Sequence, residues 1–187
     1  MKKKDYYNYD NPKFKPLREP MREVMTAYGE AERFFALIKE ITWYRFGMKS
    51  LTDYIHALEH IQPDEVDTFK DIFAENGLSV EYPPIGELTE ELNNLDRVFE
   101  VCVGIIDQTD LSLNNIIIEI DTEVPELSAM ARSIETLLMR NSKNRTFLLE
   151  AWAMWDTEPS YTSFDNWVEK HEPFTKGNDV ESEEDDD

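Results

Sequence analysis

Apolar side chains recur every three to four residues along most of this chain, the spacing of helices with one buried face. Val24, Tyr28, Ala31, Phe35, Ile38 and Thr42 trace such a face, with Gly47 as a stop, and predict a first helix over residues 19–46. A second stripe of Leu51, Tyr54, Ile55, Leu58 and Ile61 follows Ser50, which is suited to an N-cap. Pro63 removes a main-chain donor and crowds the preceding turn. The pattern is therefore expected to kink or restart at Pro63-Asp64-Glu65, before Val66, Phe69, Ile72 and Phe73 carry it to Asn76.

The helical signal then stops. Gly77 suits the residue after a helix end, where φ is positive, and Pro83-Pro84 excludes helix and holds Tyr82 extended. At about 3.3 Å per residue, the roughly ten residues 77–86 can span about 33 Å, close to the length of a helix of about 20 residues. The flanking helices can therefore run parallel. Thr89 is the expected cap of a third helix carrying Leu92, Leu95, Phe99, Cys102, Ile106, Leu113, Ile117 and Ile120 to about residue 122. Pro125 suits the first turn of a fourth, with Leu127, Met130, Ile134, Leu137, Leu138, Leu148, Trp152 and Trp155 inward. The polar run Asn141-Ser142-Lys143-Asn144-Arg145 lies inside it. Leu138 and Leu148 are nearly three turns apart, which favours one continuous helix. Tyr161, Phe164 and Trp167 predict a short C-terminal helix. The fold class is all-α: a four-helix bundle with one long crossover.

Composition refines this picture. A chain of 187 residues with 41% hydrophobic content can form one sizeable core. Its expected divisions are a basic and aromatic arm over 1–17, a helical bundle over 18–174 and an acidic disordered tail over 175–187. The formal charge of −21 repels nucleic acid and anionic membranes and attracts cations or basic partners. The single Cys102, flanked by Val101 and Val103, reads as a packed thiol in a reducing cytoplasm. The N-terminus lacks the apolar run of a signal peptide, and no uninterrupted apolar stretch of about 18 residues suggests a membrane span. Phosphate-loop, paired-cysteine zinc and serine-hydrolase signatures are absent from the sequence.

Trp43, Gly47, Asp67, Asp71, Gly77 and Gly86 fall in the order, and close to the spacing, found in one known group of helical proteins, and Phe147-Leu148-Leu149-Glu150-Ala151-Trp152 matches its fourth-helix terminus. Over residues 20–156 the chain resembles the Dps type of ferritin-like protein, the mini-ferritins that assemble as hollow twelve-subunit shells. The resemblance implies a ferritin-like fold, self-assembly up to a dodecamer, and iron as the metal handled. It also implies an intersubunit metal site whose carboxylates are Asp67 and Asp71, one helical turn apart. The family's two histidine positions hold Thr42 and Tyr54 here, and no Glu-x-x-His pair of the ordinary ferritin type occurs.

His56 and His60, also one turn apart with Glu59 between them, are candidate substitutes and can chelate a transition ion. Read as residues alone, both this pair and Asp67 with Asp71 suit a solvated helix face better than a metal site. Two functions follow. The first is a Dps-like subunit that binds and stores iron in oxidative-stress protection, with ferroxidase chemistry weakened by the missing imidazoles. The alternative is a non-enzymatic acidic interaction protein on the same scaffold, binding a basic partner or mimicking nucleic acid. DNA contact is expected to be weak and confined to Lys2, Lys3 and Lys4; no membrane partner is expected.

Overall fold

The computed structural model describes residues 12–78, 80, 82–85, 91–157 and 160–174. Every regular element among them is helical: a 3-10 helix Pro12–Leu17, α1 (Arg18–Tyr44), α2 (Lys49–Glu75), α3 (Leu95–Glu123), a 3-10 turn Pro125–Leu127, α4 (Ser128–Thr157) and α5 (Tyr161–His171). Lys2, Lys3, Lys4, Gly86, Thr89 and the run 175–187 lie outside the described residues.

Two apolar cores fix how the long helices run. One joins Ala31, Phe35 and Ile38 near the end of α1 to Leu51, Tyr54 and Leu58 at the start of α2. Val98, Phe99 and Cys102 at the start of α3, Leu148 and Ala151 near the end of α4, and Phe164 and Val168 of α5 complete it. The other joins the opposite halves: Met21, Val24 and Tyr28; Phe69 and Phe73; Leu113, Ile116 and Ile120; Met130, Ile134 and Leu137. The starts of α2 and α3 thus lie at the same end, so these helices are parallel and the connection after α2 travels the length of the molecule.

Local chemistry explains the turns. Gly47 and Gly77 have φ of 65° and 75°, a region other residues enter at a cost of about 1–2 kcal/mol. At each, the chain folds back on the helix it leaves: Met48 N–H reaches Thr42 O at 3.2 Å, and Leu78 N–H reaches Phe73 O at 3.0 Å. Leu78 is then buried in the second core. Along the connection, Arg33 Nη1 donates to Ile85 O at 3.3 Å. Ile85 also packs over Gly29 so closely that a Cβ there would meet its Cδ1.

Several local expectations are corrected. Helix α2 neither stops nor restarts at Pro63. An interior proline costs about 3 kcal/mol, and here the buried stripe on both sides, Leu58 in one core and Phe69 in the other, holds the helix through it. Ser50 is not the cap of α2. The helix begins at Lys49, and α5 caps it from afar, Asp165 Oδ1 accepting from Leu51 N–H at 3.0 Å and Oδ2 from Ser50 Oγ at 3.3 Å. Helix α3 begins at Leu95, where Asn94 Oδ1 accepts from Arg97 N–H at 2.8 Å; Leu92 is buried ahead of it rather than on it. Helix α1 ends at Tyr44, and Leu17, assigned from sequence to the mobile arm, is fully buried. Helix α4 is continuous through residues 141–145, as its spacing predicts.

Helix α3 also contains an 18-residue window of mean hydropathy 1.2, long and apolar enough to cross a membrane by length and composition alone. Half of that window is buried within the protein.

Candidate functional site

Between the two cores the inward positions turn polar on all four long helices. Tyr28 on α1, Gln62 and Glu65 on α2, Thr109 and Ser112 on α3, and Asn141 and Asn144 on α4 are all buried there. Most of this belt is internally satisfied. Thr109 and Ser112 hydroxyls donate to the carbonyls of Ile105 and Gln108, and Gln62 Nε2 donates to Leu58 O at 2.9 Å. Asn141 Nδ2 donates to Asp110 Oδ1 at 2.8 Å, and the Tyr54 hydroxyl reaches Asn144 O at 3.4 Å.

Among the described residues, three buried side-chain atoms have no hydrogen-bond partner: the Tyr28 hydroxyl and both oxygens of Glu65. Glu65 is 1% exposed, so its carboxyl has lost water without gaining a donor. Burial pushes its pKa up to about 7; Tyr28 and Arg140 damp the rise, and the charge of Asp110 adds to it. Tyr28 faces Glu65 but falls short of hydrogen-bond geometry with it, and burial followed by the Glu65 charge drives the phenol well above its usual range. Asp110 is likewise raised, first by burial. Burial thus disfavours the charged form of both carboxyls, and a positive group placed beside them would offset that cost.

A groove of about 290 Å³ opens beside this belt between α2, α4 and the residues after α5, lined by Ile61, Asp64, Glu65, Arg140, Lys143, Asn144, Pro173 and Phe174. A larger groove of about 380 Å³ between α1 and α3 is lined by residues such as Ala31, Phe34, Val101 and Gly104, with no buried carboxyl among its walls.

The residues singled out from sequence lie elsewhere, on the outside of α2. Asp67 receives Lys70 Nζ at 2.8 Å and Asp71 is exposed. His56 and His60 are exposed, with ring centres 4.3 Å apart. Because α2 is unbroken, His60 and Asp67 stand about 10 Å apart along its axis at about 1.5 Å per residue, so one chain does not join the two pairs into a single site. Thr42 and Tyr54 are both buried, Tyr54 within the first core. Among the described residues, no group of three or more His, Cys, Asp or Glu side chains is placed to hold a metal ion.

The belt escaped the sequence reading although its signal is present. Gln62 and Glu65 sit between Leu58 and Phe69 at steps of three and four, and Asn141 and Asn144 sit likewise between Leu137 and Leu148. Polar residues in the register of an apolar stripe, at one level on several helices, mark an interior polar layer.

No protein-family model matches this chain, and no curated protein matches it.

Proposed function

We propose that this protein is a ferritin-like subunit whose metal chemistry resides in the polar belt inside its own helices, where Glu65 binds a hard divalent cation, with Fe²⁺ as cargo. The observation that carries this reading is the Glu65 carboxylate, fully buried and without a partner, at a level where every long helix turns polar. The parallel course of α2 and α3 across a long connection supports the scaffold assignment. Glu65 and Asp110 supply the charged oxygens, and the Tyr28 hydroxyl is a third oxygen donor, a set that suits hard ions. Asn141 orients Asp110 by holding one of its oxygens. A cation supplies the positive partner that Glu65 lacks and displaces its proton.

The belt contains no imidazole, so bound Fe²⁺ is expected to oxidise slowly. Assembly forms part of the same proposal. Trp43 and Tyr44, on the last turn of α1, are 48% and 79% exposed and form an aromatic surface for a second copy.

Anaerobic Fe²⁺ titration followed by air, with mass read by light scattering, tests the proposal. The expected result is saturable Fe²⁺ binding that Glu65→Gln abolishes, oxidation over minutes, and a mass that is a multiple of 22.0 kDa. Fe²⁺ binding unaffected by Glu65→Gln but lost in Asp67→Asn with Asp71→Asn would instead place the ion on the outside of α2.

A second reading, an acidic interaction protein without metal chemistry, is favoured by one observation. Lys39 and Lys70 already occupy Glu59 and Asp67 on the helix expected to carry ligands. A monomer or dimer inert to Fe²⁺ selects it.

A further inference from the structure

Helix α2 carries a second constellation, remote from the belt, that the iron reading does not use. We infer that His56 and His60 form a separate surface site for a borderline divalent ion of the Zn²⁺ or Ni²⁺ class, held in readiness by a carboxylate and a lysine behind it.

The Glu59 carboxylate Oε2 receives Lys39 Nζ from α1 at 2.6 Å and lies 3.1 Å from His56 Nδ1. A carboxylate oxygen accepts, so this contact is that of His56 Nδ1–H donating to Glu59 Oε2. Nε2, on the far side of the ring, is then the nitrogen that faces an incoming ion. Imidazole ligands in metal sites are commonly built this way, with a carboxylate fixing the tautomer and ring orientation through the nitrogen that does not bind.

His60 supplies the second ligand. The two residues are one helical turn apart, and their rings stand 4.3 Å apart between centres, inclined at 69°. Metal–imidazole bonds of about 2.0–2.1 Å place each ring centre about 3.2 Å from the ion, so this separation corresponds to an N–metal–N angle of about 85°. A separation of this size matches two cis positions on one ion. Both histidines are exposed, so water takes the remaining positions. Imidazole donors select borderline ions over hard ones, the opposite preference from the all-oxygen belt.

Isothermal titration of the full chain with Zn²⁺, using Mn²⁺ as a hard-ion control, tests the site. The expected result is one Zn²⁺ per chain, weakened at least 30-fold by His56→Ala or His60→Ala and unchanged by His171→Ala. Glu59→Gln is expected to weaken Zn²⁺ binding about 10–100-fold while leaving both ligands in place, the effect characteristic of an orienting carboxylate. Circular dichroism on each variant separates loss of the site from loss of the fold. Zn²⁺ heat that survives both histidine variants, or many weak sites indifferent to them, overturns the inference and assigns the binding to the general acidity of the surface. Glu65→Gln should leave Zn²⁺ binding at this pair intact, so failure here and failure of the belt proposal are read separately.

Discussion

Replacing Glu65 with glutamine is expected to stabilise the metal-free protein by about 2–3 kcal/mol at pH 8, a reversal of the usual cost of altering a buried residue. The sign follows from proton linkage. In the unfolded chain this carboxyl has its ordinary value of 4.5, and in the folded protein burial raises it to about 7, so between these values the folded state holds the extra proton. The contribution of the protonated group is complete below pH 4.5, declines as pH rises toward 7, and is absent above it. A shift of this size corresponds to about 3 kcal/mol at about 1.36 kcal/mol per unit. Glutamine keeps the shape and removes the charge, though its amide must still find an acceptor, which trims the gain. Chemical denaturation at pH 5 and pH 8 reads the effect: the wild type should lose stability between them relative to Glu65→Gln. If the two proteins share one pH profile, Glu65 is solvated or paired in solution and the belt lacks the uncompensated carboxyl on which the metal proposal rests.

The second large effect is expected at Phe164. This ring is fully buried against Phe99 and Trp155, with centres 5.9 and 5.7 Å away, and it anchors α5 in the first core. Phe164→Ala should cost about 3–5 kcal/mol through lost contacts and the cavity left behind. A further consequence is remote in sequence. Asp165, the next residue, caps the start of α2 through Leu51 N–H, so undocking α5 leaves that amide without its acceptor. Amide exchange at Leu51 should therefore accelerate together with that of α5. A loss of stability below about 1 kcal/mol, or unchanged protection at Leu51, would mean that α5 does not hold α2.

How much of this was legible in the sequence follows the range of each interaction. Stripes such as Val24, Tyr28, Ala31 and Phe35 repeat every turn, so the helices, and the glycine-marked ends after α1 and α2, could be read directly. The start of α2 could not be. Its cap is Asp165, more than a hundred residues away, and Ser50 next to the helix start drew the local rule to itself. The continuity of α2 through Pro63 was not legible because the local penalty of proline is visible in the sequence, while the packing that outweighs it belongs to two cores assembled from all four long helices. The site was hidden for a related reason. Glu65 follows Pro63-Asp64 and reads as part of a polar first turn, whereas it is buried in the fold and the groups that act on it, Tyr28, Asp110 and Arg140, come from three other helices. Asp67, Asp71, His56 and His60 stand out as pairs because each pair lies on one helix, and that same locality leaves them at the surface.

The most direct test of the central claim is anomalous diffraction from crystals soaked in Mn²⁺, an ion suited to oxygen donors whose position can be located independently of the protein phases. The account predicts a peak inside the belt with Glu65 and Asp110 among its ligands, absent from Glu65→Gln crystals. An empty belt with Mn²⁺ density only beside Asp67 and Asp71, or none at all, would contradict it.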